Sequence, residues 1–406
     1  MSSAVHSQSD AASSAATDEA ISAARKWPTA SGASIDFDRT PFTVIWEVTR
    51  ACGLRCVHCR ADAQSQRHPL ELTTEEGYRL LDQIAVLASP VVVLTGGDPL
   101  ERPDLFELIE YGVSRGLPLA VTPSGTPRLT NEAVAKLSRL GIRRMALSLD
   151  GPDETVHDRF RQQLGSYRWT VGGVRAAKDH GIAVQINTTV TRHSLELLPQ
   201  IAERVAELGA AMWSVFFLVT VGRGRAADQL EAREYEEVFA FLYDLSQRAP
   251  FAVRTTAAPH YRRFVLQRQA AEKVRRRSAI TPPPFLTGMT GGGSSPRRGV
   301  TDGRGLVFIS HTGEVYPSGF LPLRVGNVRR RSLVDIYRDA PLLRQLRNPD
   351  ALRGKCGRCE FRRLCGGSRA RAYAVTGDPL AADPSCVYEP GRGAVRLPGP
   401  DPILPY

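Results

Sequence analysis

Between residues 43 and 247 short apolar runs and amphipathic stretches alternate six times, and this alternation limits the fold more than any other feature of the chain. The runs are Thr43–Thr49, Val91–Leu94, Leu117–Val121, Arg144–Leu149, Ala183–Val190 and Met212–Val219. Helical apolar spacing follows each in turn, at Thr73–Ala88, Pro103–Arg115, Thr130–Leu140, Tyr167–His180, Leu195–Leu208 and Ala227–Gln247. Strands separated by helices of this length cannot pair as tight hairpins; they need crossover connections and therefore a parallel sheet. An open sheet with helices on both faces and a partial (β/α)6 barrel both satisfy the pattern, and both gather ligands at the C-terminal strand ends. Polar punctuation sits at those ends: Thr95-Gly96-Gly97-Asp98, Thr122-Pro123-Ser124-Gly125, Ser148-Leu149-Asp150-Gly151 and Asn187-Thr188-Thr189.

Composition removes several classes. With 406 residues, 42% hydrophobic and 23% charged, the chain can bury the cores of two or three domains. No run approaches the roughly 18 apolar residues of a membrane span, and the N-terminus lacks the layout of a signal peptide. No membrane partner and a cytoplasmic location are expected. The net charge of +11 comes without basic–aromatic interleaving or a known binding module, so nucleic acid is not expected as a partner.

The expected organisation has four parts. Residues 1–38 are Ser/Ala-rich and read as a mobile tail, with room for a short helix at Thr17–Lys26 and order starting near Pro41. Residues 39–255 hold the α/β core. Residues 256–305 read as a basic connector; its Thr281-Pro282-Pro283-Pro284 and Gly291-Gly292-Gly293 stretches are flexible in composition. Residues 306–395 read as a small second domain, opened by a hairpin around His311-Thr312-Gly313 with a helix at Ser332–Arg338 and another from Pro341.

Seven cysteines fall into two groups with none between: Cys52, Cys56 and Cys59, then Cys356, Cys359, Cys365 and Cys386. Clusters this tight in a cytosolic chain point to metal rather than disulfides. The first group, Cys52-x3-Cys56-x2-Cys59, leaves the first strand. Three thiolates can hold three irons of a cubane and leave the fourth open to a ligand. A zinc site completed by His58 or His68, or three unrelated core cysteines, are the alternatives. The second group offers four thiolates, enough to close one [4Fe–4S] cluster or one structural zinc site.

The first motif, at this place in a six-fold α/β repeat, resembles the radical S-adenosylmethionine superfamily. The resemblance implies a partial TIM-like (β/α)6 barrel. It also implies a [4Fe–4S] cluster on Cys52, Cys56 and Cys59, whose open iron chelates S-adenosylmethionine and cleaves it reductively to a 5′-deoxyadenosyl radical. It places Gly96, Gly97 and Asp98 in the family's Gly-Gly-Glu-like turn, with Asp for Glu, and Ser124, Ser148, Asp150 and Asn187 at cofactor-facing strand ends. His58 falls where the family often packs a ring near adenine.

The second group resembles the SPASM type of C-terminal iron–sulfur domain. The fuller two-cluster SPASM pattern has further cysteines where this chain has Ser318 and Ser368-Arg369, which implies one auxiliary [4Fe–4S] cluster and two clusters in all. Pro317-Ser318-Gly319-Phe320-Leu321-Pro322, Gly326-Asn327-Val328 and Cys365-Gly366-Gly367-Ser368-Arg369 resemble the heme-pathway branch of this group. The resemblance implies an oxidoreductase that decarboxylates a propionate side chain of a tetrapyrrole such as an iron-porphyrin, with flavodoxin or ferredoxin as electron donor. Arg262 and Arg263, in the basic run, are candidates to pair with substrate propionates. A maturase of a ribosomal peptide is the alternative within the class; a non-catalytic iron–sulfur or zinc protein is the alternative outside it.

Overall fold

The hydrogen-bonded frame is one sheet of ten strands in the order β10-β9-β8-β1-β2-β3-β4-β5-β6-β7. The computed structural model describes residues 35–88, 90–279 and 299–391. Most of the expected tail, its helix at Thr17–Lys26 and the Pro/Gly-rich part of the connector lie outside the described residues.

The six expected strands are present: β1 (Thr43–Thr49), β2 (Val91–Gly96), β3 (Leu119–Val121), β4 (Arg144–Ser148), β5 (Ala183–Val190) and β6 (Met212–Phe217). Parallel pairing joins them in order, and β7 (Ala252–Thr256) extends the series. Between them run α1 (Thr74–Ala85), α2 (Leu105–Ser114), α3 (Asn131–Arg139), α4 (Glu154–Arg161), α5 (Ser166–Asp179), α6 (Leu198–Glu207) and α7 (Ala232–Ser246). Burial decides between the two expected architectures. Val44, Trp46 and Val48 on β1, with Leu147 on β4 and Ile186 on β5, pack into one core with Leu80, Leu108 and Val174 of the helices. Alternate residues on the other face stay polar and half-buried, as Gln185, Asn187 and Thr189 do on β5. A sheet covered on both faces would be apolar on both. This one is a partial TIM-like barrel with a polar lumen.

Register sets a polar row across that lumen. Ser148 pairs with Asn187, Asn187 with Ser214, and Ser214 with Arg254. Hydroxyl contact between Ser214 and Thr256, at 3.1 Å, puts β6 and β7 side chains on the same face.

The C-terminal part is built into the same sheet. Strand β8 (Leu306–Ile309) lies parallel to β1, with Thr43 opposite Leu306 and Trp46 opposite Ile309. The expected hairpin then adds β9 (Glu314–Tyr316) antiparallel, and β10 (Gly326–Asn327) follows. Helices α9 (Leu333–Asp339), α10 (Pro341–Arg347), α11 (Gly354–Arg358) and α12 (Arg369–Thr376) complete it, and α8 (Tyr261–Ala279) precedes it. Two expectations change. The connector opens as a 19-residue helix, α8, and packing starts before Pro41: Tyr337 Oη donates to Phe37 O at 2.7 Å, and Arg347 pairs with Asp38 at 3.1 Å.

Candidate metal centres

The first cysteine group occupies the loop between β1 and α1. That loop folds back on itself: Cys52 N–H donates to Gln64 O, and Gln64 N–H to Arg50 O. It is also zipped to the end of α4, where Val57 and Arg55 N–H donate to Phe160 and Arg161 carbonyls. From the loop after β6, Arg223 donates to Cys56 O at 2.9 Å and its own N–H to Cys59 O at 3.0 Å. Two separate elements, and the loop's own fold-back, thus hold a short stretch in which Cys52, Leu54 and Cys56 are buried together and Cys59 and Ala63 pack against them partly buried.

Donors are turned toward the sulfurs. Leu54 N–H lies 3.3 Å from Cys52 Sγ, Ala63 N–H 3.4 Å from Cys59 Sγ, and Arg161 Nη1 3.6 Å from Cys56 Sγ. Burial pushes the Cys52 thiol up to about 12, with Asp98 adding to the effect. Cys56 is also raised by burial, against the pull of Arg161. Binding a positively charged metal centre would draw off those protons.

The Gly96-Gly97 turn is pressed against this loop. A Cβ on Gly97 would fall 2.6 Å from Arg50 O and closer still to Ala51 O, so only glycine fits. Gly97 N–H donates to Thr49 O and Asp98 N–H to Ala51 O. The Asp98 carboxylate is buried and accepts from Thr126 Oγ1 at 2.8 Å, Leu100 N at 3.1 Å and Ser124 N at 3.3 Å. Burial raises its pKa to about 6. Its work is to clamp the loops after β2 and β3 together, leaving backbone as the turn's exposed chemistry. Ser124 Oγ bridges Gly97 O at 2.9 Å and Cys52 Sγ at 3.8 Å.

The second group surrounds a cavity. Cys356, Cys359, Cys365 and Cys386 line it together with His260 and Arg263 of the segment that opens α8. Gly367 N–H points to Cys365 Sγ at 3.3 Å, and Asp383 N–H to Cys356 Sγ at 3.4 Å. Burial lifts the Cys365 thiol to about 12 and Cys359 to about 11.

Residues 46–205 match the model of the radical SAM superfamily, and residues 301–360 that of the SPASM iron-sulfur cluster-binding domain. The chain is 38% identical to the AdoMet-dependent heme synthase of Methanosarcina barkeri, over 88% of this chain and 99% of that protein. It is 40% identical to the AdoMet-dependent heme synthase of Nitratidesulfovibrio vulgaris, over 90% and 98%. The chain belongs to the radical SAM superfamily. Its fold is also that of Streptococcus suis SuiB bound to S-adenosylmethionine, with a TM-score of 0.62 at 17% identity, covering 86% of this chain and 78% of that one.

A radical SAM enzyme needs a [4Fe–4S] cluster and S-adenosylmethionine, and the chemistry of the first site fits both: three cysteines packed on one loop, a donor on each sulfur and a glycine turn that keeps backbone within reach. Ser148 and Asn187 stand in the lumenal row, with Asn187 accepting from Gln185 at 2.7 Å. Asp150 is buried differently from expectation: its carboxylate is paired with Arg161 and accepts from Thr189 N at 2.6 Å. His58 stacks on Phe160 with centroids 4.5 Å apart. Ser318 and Ser368, at the two places without cysteine, serve the backbone: Ser318 Oγ accepts from Phe320 N, and Ser368 Oγ caps α12 by accepting from Arg371 N.

Arg262 is tied to backbone carbonyls, and Arg263 is shared between α7 of the barrel and the C-terminal lobe. Arg262 donates to Val300 O at 2.9 Å and Leu364 O at 3.4 Å. Arg263 pairs with Glu236, and its guanidinium lies over the Tyr388 ring at 5.3 Å. Sequence reasoning missed Arg161 and Arg223 at the first cysteine loop, each more than a hundred residues from Cys56 in sequence, and gave Arg369, 13 residues from Cys356, no role. No spacing rule links an arginine to a cysteine.

Proposed function

We propose that this radical SAM enzyme decarboxylates propionate side chains of an iron-tetrapyrrole, as a heme synthase of the S-adenosylmethionine-dependent type. The observation that carries the reading is likeness over nearly the whole length of two relatives bearing that name. Cys52, Cys56 and Cys59 would hold the first cluster, and Cys356, Cys359, Cys365 and Cys386 a second, auxiliary one. Bound there, the first cluster and S-adenosylmethionine supply a radical able to abstract hydrogen. Taking a hydrogen atom from a propionate and releasing carbon dioxide to leave a vinyl group frees one electron, and the auxiliary iron would supply an acceptor for it. A small reductant protein such as flavodoxin or ferredoxin would feed the first cluster.

The chain's own residues then have definite tasks. The Gly96-Gly97 backbone, Ser124, Ser148 and Asn187 would orient the cofactor at the strand ends. Substrate carboxylates entering a partly dry lumen need cationic partners. Arg254 stands in the row with Ser148, Asn187 and Ser214, and Arg144 lies on the same face of β4. Burial, and then the charge of Arg254, pull the Arg144 pKa down to about 10, which puts the two side chains near enough to repel. We assign propionate binding to this pair rather than to Arg262 and Arg263.

Anaerobically reconstituted protein, given reductant, S-adenosylmethionine and candidate iron-porphyrins or peptides, tests the reading by mass spectrometry. The expected result is 5′-deoxyadenosine together with a porphyrin lighter by carbon dioxide and hydrogen. Product from a peptide but from no porphyrin would overturn the substrate, and no cleavage of S-adenosylmethionine under any condition would overturn the class of reaction.

A further inference from the structure

Arg369 is a buried cation whose guanidinium, among the described residues, has no ion-paired carboxylate. Its side chain is sealed from solvent at 1% exposure. Nε donates to Gly367 O at 3.2 Å, and Nη1 to Pro379 O at 3.0 Å and Ala381 O at 2.6 Å. Nη2 reaches Cys356 Sγ at 3.8 Å. This path exists because residue 367 is glycine: a Cβ there would meet Arg369 Nη2 at 2.5 Å and Cys356 Sγ at 3.2 Å.

Two carboxylates lie beside this network: half-buried Asp302 accepts from the backbone N–H groups of Arg369 and Ala370 at 3.1 and 3.0 Å, away from the guanidinium, and Asp383 is fully buried. Asp383 already accepts from Ser368 N and Ser385 N and stands 3.8 Å from both Arg371 and His260. Arg371 is buried too. Two enclosed guanidiniums thus face one enclosed carboxylate. The other cations of the cavity have acids of their own: Arg263 has Glu236, Lys355 has Glu389 and Arg362 has Asp350. Among the described residues, no carboxylate comes within ion-pair distance of the Arg369 guanidinium. An enclosed charge without a counter-charge costs several kcal/mol, and the atom that Arg369 points at is a cysteine sulfur.

We propose that Arg369 is the counter-charge of the metal centre on Cys356, Cys359, Cys365 and Cys386, and that it holds the reduction potential of that centre up. The inference rests on the auxiliary cluster assigned above. A cluster on four thiolates is anionic and becomes more so on reduction. A fixed positive charge and an N–H donor at one ligand sulfur both favour the reduced form. Arg369 would thereby make the second centre a better electron acceptor than its ligand set alone.

Redox titration of the reconstituted full-length protein, followed by electron paramagnetic resonance, tests this with Arg369→Gln and Arg369→Lys. In wild type, the signal that changes on adding S-adenosylmethionine belongs to the open first centre, and the unresponsive one to the second. In Arg369→Gln the midpoint of the unresponsive signal should move negative while the responsive one stays. Arg369→Lys, which keeps the charge, should recover most of the shift. Loss of the second centre's iron in Arg369→Gln but not in Arg369→Lys would equally support a counter-charge. An unmoved midpoint in Arg369→Gln, or equal loss of iron in both variants, would overturn it. One signal only in wild type would remove the cluster assignment, and the inference with it; two signals with an unmoved midpoint remove the inference alone.

Discussion

Arg161 bridges Asp150 to Cys56: one amino nitrogen pairs with the buried carboxylate and the other lies 3.6 Å from the sulfur. Burial pushes the Asp150 carboxyl up, but the Arg161 charge beside it overcomes that and holds it below the usual carboxylate range. The strand end of β4 and the cysteine loop are therefore coupled through a single side chain.

Removing that side chain strands a buried charge. Arg161→Met should cost about 3–5 kcal/mol, the range for breaking a buried pair from one side. The double variant Arg161→Met/Asp150→Asn should regain most of it. Denaturant midpoints of the three proteins check this; a double variant no more stable than the single would show that the pair is not the source of the loss.

Acid should destabilise the fold well above carboxylate pH. His157 is fully buried, and burial, with the Arg161 charge adding, pulls its pKa down to about 4 from the ordinary 6.5. Between these values the unfolded chain holds a proton that the folded one refuses. Stability from this group is whole above pH 6.5 and drains away as pH falls toward 4, at up to about 1.4 kcal/mol per unit. His157→Gln should flatten the pH dependence of thermal unfolding in that window, although His58, also pulled down to about 4 by burial, leaves part of the slope. An unchanged slope would assign it elsewhere.

Metal analysis separates iron from zinc in the SPASM lobe. Two four-iron clusters predict about eight irons per chain after anaerobic reconstitution. Replacing Cys52, Cys56 and Cys59 by Ala should leave about four and abolish 5′-deoxyadenosine formation. About four irons with one zinc in the wild type would make the second group a structural site.

Porphyrin binding should follow the lumen and not α8. Arg254→Gln should weaken it about tenfold or more, since a hydrogen bond to a charged group is worth about 1.5–3 kcal/mol. Arg262→Gln should leave affinity near wild type and instead loosen the contact with Leu364 and Val300. Absorbance titrations decide between them, and the reverse pattern would restore the α8 arginines as the substrate contact.

Apolar runs and Pro/Gly punctuation were enough to place β1 to β6, their helices and the cysteine loops, because each signal is local. The unread elements share a cause. Helix α4 buries His157, Asp158 and Arg161, so its inward face is polar and apolar periodicity cannot find it. Strand β7, Ala-Val-Arg-Thr-Thr, is half-buried throughout and looks like loop. The arginines were the hardest: a charge run is ordinarily a solvated face, yet Arg369 and Arg371 are enclosed, and only three-dimensional packing on the cysteine lobe makes them so.

The pairing of β8 with β1 has a consequence for how the molecule can be divided. Strand β1 begins the parallel series, but its outer edge is covered along Thr43–Trp46 by a strand that enters the sheet more than two hundred residues later. A fragment ending after β7 would leave that edge as a bare row of amide and carbonyl groups, the template on which chains stack into aggregates. The barrel and the SPASM lobe are therefore not interchangeable modules joined by a tether. They unfold as partners, and a truncation meant to isolate the catalytic half should yield insoluble protein rather than a smaller enzyme.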